Sequence, residues 1–294
     1  MPLARLPGAA IWYELSSPDD PLAPHVALTH GFSSTRWGPA VDAFRRRFRL
    51  LEYHVRGHGK SSRPDDAAAY SVPAFARDLR DLLDALDIPR AHIAGVSMGG
   101  MISAQFACDY PERTRSVLLC DTLCGNAQDD SECGGVERRL VEIFSRFAYI
   151  AENHGLQELV DRENRYRREK DAYARLSRLS LDEQDALNQR KVGDMSVRSY
   201  CEVNRALRER PDLAPRLPSL PMPALVSCGE WDLFYPCARR DAALIPNARF
   251  ATVRGAAHAT PDYQPELWTR ACFDFIDAVE RGEDIRGELE YAPG

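Results

Sequence analysis

The sequence predicts an α/β protein, a doubly wound and mostly parallel sheet with a helical segment inserted into it. Three observations carry that prediction. Short apolar runs alternate with amphipathic stretches as far as Asp121; strand-like runs are then missing from 123–210; and they resume at Ala224. Short apolar runs suit parallel strands buried on both faces. Strand, helix, strand in that rhythm implies right-handed crossovers and helices on both sides of the sheet.

Taken in order, His25–Thr29 is an apolar run bounded by Pro24 and Gly31, and Arg49–Tyr53, Ala91–Val96 and 117–120 are further runs of the same kind. Val72, Phe75, Leu79, Leu82, Leu83 and Leu86 recur at helical spacing behind Ser71, a suitable N-cap. Residues 98–110 read as an amphipathic helix ended by Pro111, because the residue before a proline is excluded from the α region. Within the insertion, Val136, Leu140, Ile143, Phe144 and Phe147 mark one helix, and Ser180 with Glu183 reads as a capping box opening another. Pro211, Pro215, Pro218, Pro221 and Pro223 predict a stiff return linker. Strands are expected at 224–228 and 249–253, and a last helix at 267–279. The expected organisation is therefore an α/β core in two parts, 1–122 and 211–294, around a helical segment at 123–210. No internal repeat or low-complexity stretch interrupts it.

Composition narrows the function classes. The 294 residues are 44% hydrophobic and 28% charged, the range of a folded globular protein. Lys+Arg 38 against Asp+Glu 44 leaves a net charge of −6 without a long basic run, which argues against a nucleic-acid partner. No run of about 18 apolar residues predicts a membrane span, and the proline-broken start, Met1 to Gly8, has no secretory apolar region, so a cytoplasmic location is expected. Eight scattered cysteines without a C-x-x-C pair read as reduced, mostly buried thiols. The seven histidines include no H-E-x-x-H and no cluster at zinc spacing, so no metal is expected.

Chemistry concentrates in Gly95-Val96-Ser97-Met98-Gly99, a G-x-S-x-G pattern between a predicted strand and a predicted helix. A turn that tight leaves no room for side chains two residues either side of Ser97, and it lifts the hydroxyl above the carboxyl edge of the sheet. A serine hydroxyl needs a general base. His258, just past the last core strand, is the candidate, with Asp232, after the strand before it, as the acid that orients the imidazole. Asp121, also at a strand end, is the alternative acid. The backbone N–H groups of Phe32 and Met98 are the candidate oxyanion donors. Gly57-His58-Gly59-Lys60-Ser61 looks like the tail of a phosphate-binding loop, but His54 stands where that motif needs glycine.

These pieces together resemble the α/β-hydrolase fold superfamily: His30-Gly31-Phe32, Arg56-Gly57-His58-Gly59-Lys60-Ser61, Gly95 to Gly100, Gly229-x-x-Asp232-x-x-x-Pro236 and His258, in the chain order Ser97, Asp232, His258. In style the chain is similar to the branch of enol-lactonases, esterases, cofactor-free perhydrolases and carbon–carbon hydrolases. The resemblance implies that 123–210 is a helical cap over the active site. Two departures stand out. His54 replaces the usual Asp two residues ahead of Arg56, which should change a local hydrogen bond and not the reaction. Ala257 replaces the usual Gly before the histidine, which should stiffen that loop.

In the cap, Arg162, Arg165, Arg167, Arg168 and Lys170 alternate with Glu163, Glu169 and Asp171, which predicts a solvated face laced with i,i+4 pairs in preference to a basic entrance for a carboxylate. Phe144, Phe147, Tyr149 and Trp37 are expected to pack the core in preference to lining an apolar pocket. The function expected is cleavage of a small or medium carboxylic ester or lactone through an acyl-enzyme, with a small acyl compound as substrate, no nucleic-acid partner, no cofactor and the oligomeric state open. Carbon–carbon hydrolysis and acyl transfer on the same triad are the alternatives, and a slow-turnover small-molecule receptor is the reading from another class.

Overall fold

In the computed structural model the described residues are 2–33, 35, 37, 40–127, 129–171, 174 and 179–293. The predicted runs all form strands and lie side by side: β3 (His25–Thr29), β4 (Arg49–Tyr53), β5 (Ala91–Val96), β6 (Thr114–Cys120), β7 (Ala224–Gly229) and β8 (Ala248–Val253). Three more strands complete a nine-stranded sheet: β1 (Leu3–Leu6), β2 (Ala9–Ser16) and β9 (Gly287–Tyr291), in the order β1-β2-β4-β3-β5-β6-β7-β8-β9. β1 and β2 run antiparallel, and every pair from β4 to β9 is parallel. The three unpredicted strands sit at or next to the edges, where one face stays wet. Four of the five β9 residues are exposed, so no apolar run announces that strand.

Side chains alternate between the two faces. Val26 and Leu28 join Phe44 of α1 (Ala40–Arg47) and Trp268 of α9 (Pro265–Glu280) on one face. Ala27 faces Leu79 of α2 (Val72–Ala85) and Ile102 of α3 (Met98–Asp109) on the other. α2 starts where predicted, with the Ser71 hydroxyl accepting from Ala74 N–H at 3.2 Å. α3 differs from expectation: every residue from Met98 to Ala107 is buried, so the helix has no polar face. It lies against α2, β5 and β6, which leaves no side open to water.

Between β6 and β7 the described residues form three α-helices and no strand: α4 (Glu132–Lys170), α5 (Leu181–Asp194) and α6 (Val197–Arg208). Gly155, at φ +85° and ψ 167°, breaks α4 into two arms in a conformation restricted to glycine. The Ser180–Glu183 capping box forms. The charged face of α4 pairs differently from the expectation. Arg162 meets Glu158 one turn away, but Arg167 and Arg168 cross to Asp185 and Asp182 on α5. A buried ion pair, Arg210 to Glu137 at 2.6 Å, fastens the chain after α6 to the start of α4. The proline-rich return carries a 3₁₀ turn, Ala214–Ser219, in place of a wholly extended linker. α7 (Tyr235–Leu244) and the four-residue α8 (Thr260–Tyr263) complete the chain. Among the described residues no helix is long and apolar enough to cross a membrane.

Candidate active site

β3 pairs with β4 on one side and β5 on the other, so the chain's course reverses between β3 and β5. Open α/β sheets form their crevices at the carboxyl ends of strands flanking such a point. Phe32 follows β3 there and Ser97 follows β5. Ser97 has φ +54° and ψ −118°, a strained backbone for a residue with a Cβ. The neighbouring glycines allow it. A Cβ on Gly95 would strike the Gly99 carbonyl, and one on Gly99 would strike the Thr29 carbonyl. Two bonds hold the turn: Ser97 N–H donates to the Cys120 carbonyl at 2.9 Å, and the Thr122 hydroxyl donates to the Ser97 carbonyl at 2.8 Å.

The loops after β7 and β8 reach the same point. His258 Nε2 lies 2.9 Å from Ser97 Oγ, and His258 Nδ1 lies 2.8 Å from Asp232 Oδ2. Asp232 Oδ1 accepts the Phe234 N–H at 3.0 Å, and the Phe234 ring stands edge-on to the imidazole. The Asp232 side chain is 1% exposed and that of His258 43%, so a buried carboxylate holds a partly open ring. Burial pulls the His258 pKa down; the charge and hydrogen bond of Asp232, with the charge of Asp121, outweigh it and raise the pKa to about 9.

Among the described residues no hydrogen bond joins Asp121 to His258. Its carboxylate accepts from Gly229 N–H at 3.1 Å and from the N–H and hydroxyl of Thr260 at 2.6 and 2.7 Å. It therefore ties together the loops that carry Asp232 and His258. Burial, then the Asp232 charge, pushes its pKa up. Asp121, Cys228 and Asp232 converge within 4.8 Å, a spacing that suits a metal ion. The oxygens of both carboxylates are already acceptors for Gly229, Thr260, Phe234 and His258. A cation there would have to displace the bonds that hold both loops.

Among the described residues, no hydrogen bond takes up the backbone N–H of Phe32 or of Met98. The loops beneath are fastened by neutral histidines. His30 Nε2 accepts the Val55 N–H at 3.0 Å, and its burial lowers its pKa to about 4. His54 accepts the Lys60 N–H at 3.0 Å through Nδ1. It thus serves as a local acceptor in that turn. Arg56 forms a buried bidentate pair with Asp78 at 2.5 and 2.6 Å.

A cavity of about 100 Å³ opens over Ser97 and His258, walled by Phe32, Trp37, Pro261 and Asp262. Trp37 stacks on Trp268 and is buried. Phe144 meets Phe32 edge to face, while Tyr149 is 62% exposed and packs no interior. Phe234, Thr260 and Asp262 were not singled out from sequence. Phe234 sits inside the Gly229–Pro236 run, and the other two follow His258 by two and four positions.

Residues 24–263 match the family model described as alpha/beta hydrolase fold. The chain belongs to the α/β-hydrolase fold family. The enol-lactonase of Burkholderia xenovorans LB400 is similar in structure: TM-score 0.79, 26% identity, 94% of this chain and 100% of that one. A thermophilic esterase of Thermogutta terrifontis shares the fold at TM-score 0.75 and 23% identity, over 95% and 99% of the two chains. A protein of Azorhizobium caulinodans provisionally named carbamate hydrolase RutD is 26% identical over 287 residues, 96% of this chain and all of that one. This α/β-hydrolase is accordingly an enzyme of the hydrolase class.

Proposed function

We propose that the chain hydrolyses a small carboxylic ester or lactone through an acyl-enzyme on Ser97, with His258 as general base and Asp232 as its acid. The continuous chain from Ser97 Oγ through both imidazole nitrogens to Asp232, 2.9 and 2.8 Å long, carries this reading. His258 Nε2 takes the serine proton as Oγ bonds to the substrate carbonyl carbon. The carbonyl oxygen becomes an oxyanion stabilised by the N–H groups of Phe32 and Met98. His258 returns the proton to the leaving alkoxide as the ester bond breaks. Water then attacks the acyl-enzyme by the same route, releasing the carboxylic acid and restoring Ser97. The cycle consumes only substrate and water.

In this reading the helical segment 123–210, which includes α4, α5 and α6, is a cap inserted between the two parts of the core, 1–122 and 211–294. Phe144 of α4 and Tyr200 of α6, which contact the Phe32 ring, support that placement. The small cavity favours short acyl groups. A fluorophosphonate probe followed by intact-mass analysis tests the nucleophile: one adduct per chain, lost in Ser97→Ala, is expected. An adduct that survives Ser97→Ala overturns the assignment.

A further inference from the structure

Asp262 stands in α8, four residues beyond His258, and lines the same cavity as Ser97. Among the described residues no lysine or arginine lines that cavity, and once His258 is neutral, the form that acts as base, the remaining described walls are apolar or neutral. Two of them, Phe32 and Trp37, are aromatic. Among the described residues no hydrogen bond or ion pair engages the Asp262 carboxylate, and the one cation whose field reaches it is Arg190 of α5. Arg190 lines a different cavity, beside Trp12, Thr35 and Asp194. Burial raises the Asp262 pKa to about 6, which leaves the group ionised at neutral pH.

A carboxylate beside aromatic rings suits a substrate cation: the carboxylate supplies charge and the rings supply cation–π attraction. With His258 neutral, a substrate carboxylate would meet like charge at close range with no described lysine or arginine in the cavity wall to offset it, a juxtaposition that strongly discriminates between partners. We propose that Asp262 selects the substrate by charge, admitting an ester that carries an ammonium group near the scissile carbonyl and excluding one that carries a carboxylate there. The proposal rests on the ester-hydrolase reading of Ser97 and names the substrate class of that same site.

Three acetate esters of matched size test it: acetylcholine, its uncharged isostere 3,3-dimethylbutyl acetate, and 3-acetoxypropanoate. kcat/KM should fall in that order, with the cationic ester ahead of the anionic one by about tenfold or more. In Asp262→Asn the ratio should collapse toward one, and because the ratio is taken within each protein, a loss of folded enzyme cancels. Equal rates for the charged esters, preference for the anion, or a ratio unchanged in Asp262→Asn overturns the proposal. A second arm needs no turnover: tetramethylammonium should bind Ser97→Ala more tightly than acetate does, by NMR titration, and Asp262→Asn in that background should abolish the difference. Should no ester be hydrolysed while tetramethylammonium binds with this dependence, the ester-hydrolase reading falls and the charge selection stands. Absence of preferential cation binding overturns the selection whatever the esters do.

Discussion

Replacing Asp232 by asparagine separates the charge of the proposed acid from its shape. Asp232 Oδ1 accepts the Phe234 N–H at 3.0 Å, and Oδ2 faces His258 Nδ1 at 2.8 Å. The Phe234 N–H would claim the oxygen of a new amide, leaving its NH₂ turned to the imidazole. Nδ1 must then accept, so the ring proton moves to Nε2, the atom 2.9 Å from Ser97 Oγ. An Nε2 that carries the proton cannot take one from serine. Flipping the amide restores the tautomer only by opposing the Phe234 N–H, and the imidazolium still lacks its counter-charge. The expected loss in turnover is about 10⁴-fold, or ~5 kcal/mol. Asp121 cannot stand in, since Gly229 and Thr260 hold its carboxylate. The pH profile supplies a second readout. The neutral imidazole is the active base, so kcat/KM rises with pH through the His258 pKa. Asp232 holds that pKa above its ordinary value of 6.5, so Asp232→Asn moves the rising limb to lower pH as it lowers the plateau. The assay is kcat/KM on one ester from pH 5 to 10 for both proteins. Turnover within tenfold of wild type, or a limb that stays put, refutes the reasoning.

Gly99→Ala should abolish soluble folded protein, because its Cβ would strike the Thr29 carbonyl, whereas Gly31→Ala should stay within about 1 kcal/mol of wild type in urea titration, its nearest neighbour being the Val96 side chain at 3.5 Å. His30 is neutral when folded, with a pKa of about 4 against 6.5 unfolded, so it costs nothing above pH 6.5. As pH falls from there toward 4 the unfolded state gains the proton first, and stability drops by about 3 kcal/mol, a slope that His30→Gln should reduce in urea midpoints at pH 8 and 4.5. Arg210→Met leaves the Glu137 carboxyl buried without its partner and should cost about 3–5 kcal/mol, most of which Glu137→Leu in the same chain should restore; thermal melts of the two variants decide it.

How much was legible from sequence depended on which face of an element met water. β5 and β7 are buried at every position, so their runs are mostly apolar, broken only by His92 and Ser227, and easily read. β9 buries only Tyr291 and carries Glu288 and Glu290, which pair with Arg239 and Arg254 across the edge. Nothing in that composition distinguishes it from a loop. α3 was legible as a helix but not as a buried one, since the small residues Gly99, Gly100, Ser103 and Ala104 read as weakly polar while they serve close packing. Gly100 illustrates this: a Cβ there would meet the Thr122 side chain at 2.5 Å. At the candidate site, Ser97, His258 and Asp232 follow from chain order and strand ends. Asp262 does not, because its significance lies in what else surrounds one small cavity.

Backbone strain explains why local signals fail at this edge of the sheet. Among the described residues, the non-glycine positions with positive φ are Ser33, Asp87, Ser97, Asp121 and Ala259. All but Asp87 lie just past a strand that ends at the candidate site: β3, β5, β6 and β8. Each costs roughly 1–3 kcal/mol that propensity alone would avoid. Long-range hydrogen bonds hold two of these segments in place, from the Gly229 and Thr260 N–H groups to the Asp121 carboxylate and from the Thr122 hydroxyl to the Ser97 carbonyl. Asp121, considered from sequence as an alternative acid, is thus better understood as the brace that lets the Asp232 and His258 loops meet. Its loss should loosen both loops at once, lowering turnover without shifting the His258 pH limb as far as loss of Asp232 does, because the Asp232 hydrogen bond to the ring remains.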